Sequence, residues 1–194
     1  MVRRKDPEKR QAILQACAEL ISKRGLDSVP TAEIARIAGV AEGTVFSYFP
    51  NKSDLYNTLY LDLRVKMFDF LGQNYQKGQS LERRFVVLLD DYLDWGINHP
   101  TDNVASNRLA DSKLITQETV TLVNEKFPDL EVGQLFQNQV LLAGHSDFAE
   151  SIFTALADLA IIYAQHDPEN NQYYRKAITT LISHFLNIEN NENN

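Results

Sequence analysis

The chain has 194 residues, 44% hydrophobic and 23% charged, a balance that suits a globular protein with a sizeable buried core. No apolar run reaches the roughly 18 residues of a spanning helix, and Met1 to Pro7 lacks the apolar stretch of a secretory signal. The single cysteine, Cys17, excludes an intramolecular disulfide, so a cytoplasmic protein without a membrane partner is expected.

The net charge of −7 is unevenly divided. Residues 1–53 hold nine basic against six acidic side chains, net +3, which leaves −10 for the remainder. A basic head on an acidic body confines attraction for phosphate to one end. Chance clustering on a solvated surface is the competing account.

Taken in chain order, the pattern is helical almost throughout, with no sustained period-two alternation. Asp6-Pro7-Glu8 opens the first helix with an N-cap candidate, proline at the first position and an early acid. Ile13, Ala16, Cys17, Leu20 and Ile21 then form one apolar stripe. Lys23, Arg24 and Gly25 close the helix. Cys17 lies on the stripe and reads as a small core residue. Short helices are expected near 31–38 and 42–49, and a long one over 52–75 after the break Pro50 to Asp54. Further helices are expected near 81–98, 101–112, 114–126, 131–143, 147–165 and 170–188. Gly78, Pro100, Pro128, Gly144 and Pro168 stand at the breaks between them. Residues 189–194, acid and asparagine only, read as a disordered tail.

The stretch from Thr31 to Pro50 carries the most specific information. Two short helices that cross steeply through a tight turn need a small residue where they meet, supplied by Ala35. They also need a residue tolerant of positive φ at the turn, supplied by Gly39. Val40, Val45 and Phe49 then pin the second helix to the first, facing Ile34 and Ala38. Ala35, Gly39 and Val45 follow one another at intervals of four and six residues, as a helix-turn-helix requires. The run from Gly39 to Leu55, with the preceding helix, its exit through Gly25 to Val29, and Thr31, resembles the signature of the TetR (tetracycline repressor) family of transcriptional regulators. The resemblance covers about residues 8–60. Within it, Phe46 and Tyr48 stand where tyrosine and histidine or tyrosine are common.

That resemblance implies an all-α fold. An N-terminal three-helix helix-turn-helix head, residues 1–51, would be joined to a larger helical ligand-binding and dimerisation body, residues 52–188. It also implies that the helix near 42–49 enters the major groove of operator DNA with its N-terminal residues at base edges. Glu42, Gly43, Thr44 and Ser47 are then the DNA-facing residues, with Tyr48 and Thr31 reaching phosphate through their hydroxyls. Lys52, at the start of the next helix, would bind phosphate with help from the helix dipole. Arg3, Arg4 and Lys5 form a basic arm for further backbone or minor-groove contacts. Bland readings stand beside these. Thr31 and Asn51 are ordinary N-caps, Lys52 a solvated lysine and the arm idle. Phe46 and Phe49 are assigned to core.

In the body, Phe148, Ile152, Leu156, Leu159 and Tyr163 form one stripe of the helix over 147–165. Ala149, Phe153, Ala157, Ala160, Ile161 and Ala164 form a second face. Tyr174, Ala177, Ile178, Leu181, Ile182, Phe185 and Ile188 form a stripe of the helix over 170–188. A helix apolar on two faces must bury both, so homodimerisation through these helices is expected, with a central buried helix in a monomer as the rival. The resemblance implies a pocket for an unidentified small effector, with Tyr92, Trp95, Asn107, Gln137 and His145 as candidate lining residues.

Enzymatic readings find little footing. No Gly-x-Ser-x-Gly, Gly-x-Gly-x-x-Gly or phosphate-binding loop occurs, and no glutamate is followed by histidine three residues on. Asp90, Asp91 and Asp94 read as a solvated helix edge. His99, His145, His166 and His184 lack ligand spacing, so neither a metal site, a cofactor nor a catalytic residue is expected. The reading that results is a ligand-responsive regulator, a repressor in the usual outcome, that binds a palindromic operator as a dimer and is released by a small, largely apolar effector. Its alternative is a DNA-binding regulator gated by a protein partner.

Overall fold

The computed structural model describes residues 5–74, 76, 78–126 and 146–185. Among them are nine α-helices and no strand, the all-α fold expected, with a helix-turn-helix head and a helical body. They are α1 (Pro7–Arg24), α2 (Thr31–Ile37), α3 (Glu42–Tyr48), α4 (Lys52–Leu71), α5 (Leu81–Asn98), α6 (Pro100–Ala110), α7 (Gln117–Lys126), α8 (Ser146–His166) and α9 (Asn171–Phe185). The sequence reading carries α4 four residues too far: the helix ends at Leu71, with a last i→i−4 bond from Gly72 N to Phe68 O. It starts α7 three residues too early, because residues 114–116 form a turn whose backbone groups bond to Asn57 instead of joining the helix. The expected helix over 131–143, the tail 189–194, and the candidates Arg3, Arg4, Gln137 and His145 lie outside the described residues.

The chain divides into two compact units. The first comprises residues up to 66 together with 99–126, and α1 is its centre. Asp6 caps α1 by accepting from Glu8 N at 2.9 Å, Pro7 takes the first position, and Gly25 at φ 80° ends the helix. Ile13, Leu14, Cys17, Leu20 and Ile21 are fully buried, so almost one whole side of α1 is core. Burial pushes the Cys17 thiol up to about 12, which keeps it a neutral packing group, as expected. At the end of α1 Gly25 N donates to Ile21 O at 2.9 Å, and the carbonyls beyond it lack helical donors. Arg108 of α6 supplies two hydrogen bonds there, to Ile21 O at 2.6 Å and Ser22 O at 3.1 Å.

A second polar fastening lies on α4. Asn57 accepts from Thr116 N at 2.9 Å and from the Thr119 hydroxyl at 2.8 Å, and donates to Leu114 O at 3.1 Å. One amide side chain thus satisfies the turn before α7, whose backbone polar groups need partners.

The second unit comprises residues 67–98 and those from 127 onward. Here α5, α8 and α9 enclose Phe85, Leu89, Leu93, Trp95, Ala157, Ile161 and Ile182. Gly96 lets α5 approach α8 closely, since a Cβ there would land on Ile161 Cδ1 and lie 2.9 Å from its Cγ1. Of Asp90, Asp91 and Asp94, expected as a solvated edge, Asp90 and Asp94 keep 55% and 46% of their side chains exposed, and Asp91 departs. Asp91 is only 5% exposed and accepts from Asn74 Nδ2 at 2.8 Å, and burial raises its pKa above the usual carboxylate range despite that bond. Asp94 pairs with Arg175 of α9, whose other nitrogen lies 3.8 Å from Asp90. The partner is remote in sequence, which local spacing does not register.

The two faces of α8 behave differently. Ala157, Ala160, Ile161 and Ala164 are buried, whereas Phe148, Leu159, Ile162 and Tyr163 are 48–63% exposed. The stripe expected on α9 splits, because it is too wide to face one way. Tyr174, Ile178 and Ile182 turn to the core, while Ala177 and Leu181 are exposed, as is Tyr173 outside the stripe at 69%.

Adding one methyl at the α5–α8 contact tests this packing. Gly96→Ala should destabilise the protein by about 1–3 kcal/mol, the usual cost of overpacking. Ile161→Val in the same chain should recover part of the loss, as read by urea unfolding.

Candidate nucleic-acid interface

The segment between α2 and α3 has the geometry that its sequence demands. Gly39 takes φ 66°, a left-handed conformation costly for residues with a Cβ. Val40 N donates back to Ala35 O at 3.0 Å, which closes the turn. Val45 and Phe49, 1% and 5% exposed, seat α3 in the unit that also buries Ile34 and Ala35. Four-residue spacing puts Val45 and Phe49 on one side of the helix. Gly43 and Ser47 lie on the opposite side, Phe46 on the flank and Glu42 at the helix's first position, and all four are exposed.

Phe46 is the correction here. Sequence reasoning assigns it to the core with Phe49, but it is 49% exposed. One residue past the buried Val45, it is rotated about 100° from that residue, onto the flank of the packed side. That one-residue offset carried the signal, and residue type overrode it.

The remaining candidates surround this face. Thr44 is half-buried on its edge. The Ser47 hydroxyl donates to Thr44 O at 2.7 Å, within its own helix. Thr31 is the first residue of α2 and is not its N-cap. Pro30 holds the cap position, its carbonyl accepting from Glu33 N and Ile34 N, so the capping account of Thr31 falls. Asn51 does cap α4, accepting from Asp54 N at 2.9 Å and donating to Asp54 Oδ2 at 3.0 Å.

Tyr48 does something the sequence does not announce. Its hydroxyl accepts from Asp6 N at 2.8 Å and donates to Asp6 O at 3.1 Å. The only hydroxyl proton is thereby engaged with the N-cap residue of α1. Three cations rest on aromatic faces nearby, Lys5 over Tyr48 at 5.5 Å, Arg10 over Phe49 at 5.9 Å and Lys52 over Tyr56 at 5.4 Å. An aromatic face orients a cation without neutralising it. Arg24, in contrast, pairs with Glu33 at 2.6 Å.

Of the residues suggested for a small-molecule pocket, Tyr92 and Trp95 fall together in the core of the second unit. Both are buried, and the Tyr92 hydroxyl donates to Asp158 at 3.0 Å. Asn107 belongs to α6 in the first unit. No group of three potential metal ligands occurs among the described residues, and no described helix is long and apolar enough to cross a membrane.

Comparison with known proteins places these features in context. Residues 13–59 match the family model described as bacterial regulatory proteins, tetR family. The chain is 27% identical over 100 residues to the nucleoid occlusion factor SlmA of Pasteurella multocida, covering 51% of this chain and spanning half the length of that relative. It is 22% identical over 185 residues to the SlmA of Haemophilus ducreyi, covering 87% of this chain and 88% of that one. Among solved structures, a putative tetR family transcription regulator from Shewanella sp. PV-4 superposes with a TM-score of 0.73 at 25% identity, covering 92% and 96% of the two chains.

The Tyr48 clamp makes a local prediction. Tyr48→Phe removes both hydrogen bonds to Asp6, each worth about 0.5–1.5 kcal/mol. Amide exchange at Glu8 and its neighbours in the first turn of α1 should accelerate, while α5 amides in the second unit keep their protection.

Proposed function

The chain belongs to the TetR family of bacterial regulatory proteins, and from that membership we propose that it reads a pseudo-palindromic operator as a homodimer. It is a DNA-binding transcriptional regulator. The observation that carries the finer reading is the exposed side of α3. A short helix is held rigidly by Val45 and Phe49 while Glu42, Gly43, Phe46 and Ser47 face outward. A helix of this kind fits the major groove.

In this reading Glu42 accepts from a cytosine amino group, and Gly43 admits the backbone close to the base edges. Thr44 and Ser47 make the adjoining polar contacts. Thr31 and Lys52 hold phosphates at the starts of α2 and α4, which fixes register without reading sequence. Tyr48 acts by holding the start of α1, and with it Lys5, beside the recognition helix.

Dimerisation is supported by the exposed apolar side of α8 and α9, which includes Phe148, Leu159, Ile162, Tyr163, Tyr173 and Leu181. Isolated monomers rarely leave so many large apolar groups on neighbouring helices in water. A second copy covers them and places two recognition helices about one DNA turn, ~34–36 Å, apart. Release from DNA by a small, largely apolar effector completes the reading, with Tyr92 and Trp95 of the second unit as the described candidates for its contacts. The effector shifts the equilibrium only through its differential affinity for the two states. A specific observation favours a second reading, gating by a macromolecular partner. The Haemophilus relative that matches most of the chain is named for nucleoid occlusion, and its name mentions no small-molecule response.

Selection of genomic fragments by the purified protein, followed by footprinting, tests the DNA reading. A protected pseudo-palindrome is expected, and absence of any enriched fragment, before and after refolding to strip bound molecules, overturns it. The affinity should fall steeply with salt, and Lys52→Ala should make the log–log slope shallower by about 2 for a dimer, one phosphate per protomer.

Leu181→Glu should shift sedimentation from dimer to monomer and reduce protection to a weak half-site. An unchanged dimer would remove α9 from the interface.

A further inference from the structure

Phe46 is the largest group on the outward side of α3 and has no polar atom with which to read a base. It stands four residues after Glu42 and three after Gly43, and 49% of its surface is exposed. Leaving an aromatic ring in water at this position forgoes stabilisation that the neighbouring Val45 and Phe49 obtain by burial. Its surroundings leave it prominent. A Cβ at Gly43 would meet nothing within 4 Å, and the Ser47 hydroxyl is turned back to Thr44 O.

The edge of a base pair in the major groove offers donors, acceptors and one apolar group, the C5 methyl of thymine. We infer that Phe46 is a specificity-determining residue that seats a thymine methyl in each half-site of the operator. The inference rests on the reading that α3 enters the major groove. The ring selects in two ways. It removes the methyl and its own face from water together, which favours thymine. It also strips water from the amino group of cytosine or the carbonyl of guanine without replacing the hydrogen bond, which disfavours those bases. Thymine and uracil differ in that methyl alone, so the contact can be examined without changing base pairing.

The test uses the full-length protein and the operator recovered by selection and footprinting. Each thymine of a half-site is replaced in turn by uracil, and affinity is measured for the wild type, Phe46→Ala and Phe46→Leu. For the wild type, one thymine per half-site should be sensitive, at about fourfold for one half-site and roughly fifteenfold for both, the value of a buried methyl group. Phe46→Ala should bind the thymine operator more weakly and lose the discrimination at that position alone. Phe46→Leu should retain part of it. Because Phe46 is half-exposed, thermal melts of the variants should match the wild type, which separates a lost contact from a lost fold. If an operator is protected but no thymine is sensitive, or if Phe46→Ala discriminates as the wild type does, the inference fails while the DNA reading stands. If no operator is recovered, both fall.

Discussion

A helix of seven residues does not hold its own shape or direction. α3 is roughly 10 Å long, far below the length at which an isolated helix is stable in water. Its existence depends on Val45 and Phe49 being buried, and its direction depends on Gly39 turning the chain at φ 66°. The exposed residues Gly43, Phe46 and Ser47 are what that anchorage leaves turned away from the core. The support then passes to α1. Arg10 lies over Phe49, Tyr48 holds both backbone groups of Asp6, and α1 itself presents almost a full side of core residues. The interface is consequently as well ordered as α1 is, and the far end of α1 is fastened in turn by Arg108.

The parts of this arrangement that local chemistry determines could be read in advance. Asp6-Pro7, Gly25, Gly39 and Asn51 act on backbone within a few residues, and each takes the role its type suggests. The helix-turn-helix was legible for the same reason, because its constraints fit within 20 residues. Partners were not legible where they lie far along the chain. Arg175 reaches Asp94 across 81 residues and Asn57 reaches Thr116 across 59. Periodicity reports which side of a helix is apolar and says nothing about what a polar group on that helix meets. That is why the buried Asp91 read as part of a solvated edge. The core assignment of Phe46 and the capping account of Thr31 failed differently, since both rested on residue type and took no account of position in the helix.

The polar fastenings of the first unit tie its helices to one another. Arg108 and Asn57 bind α6 and the turn before α7 to α1 and α4, the helices that carry and flank the interface. Each fastening includes one part-buried bond, to Ile21 O and from the Thr119 hydroxyl, whose loss without a new partner is costly. Such contacts favour discrete states over gradual deformation. A change that reaches α6 or α7 is therefore either resisted or passed on to α1 and α4.

Charge completes the account of how an acidic protein approaches a polyanion. The net +3 of residues 1–53 is a poor guide, since Lys23 pairs with Glu19 at 2.5 Å and Arg24 with Glu33 at 2.6 Å. Those cations are already partly compensated within the fold. Lys5, Arg10 and Lys52 are instead set over Tyr48, Phe49 and Tyr56. The ring faces limit the wandering of long side chains, which lowers the entropy lost when a phosphate arrives, yet they leave the full charge available. What equips this end of the molecule for DNA is the placement of three uncompensated cations around a rigid helix, and a count of charges along the sequence does not contain that placement.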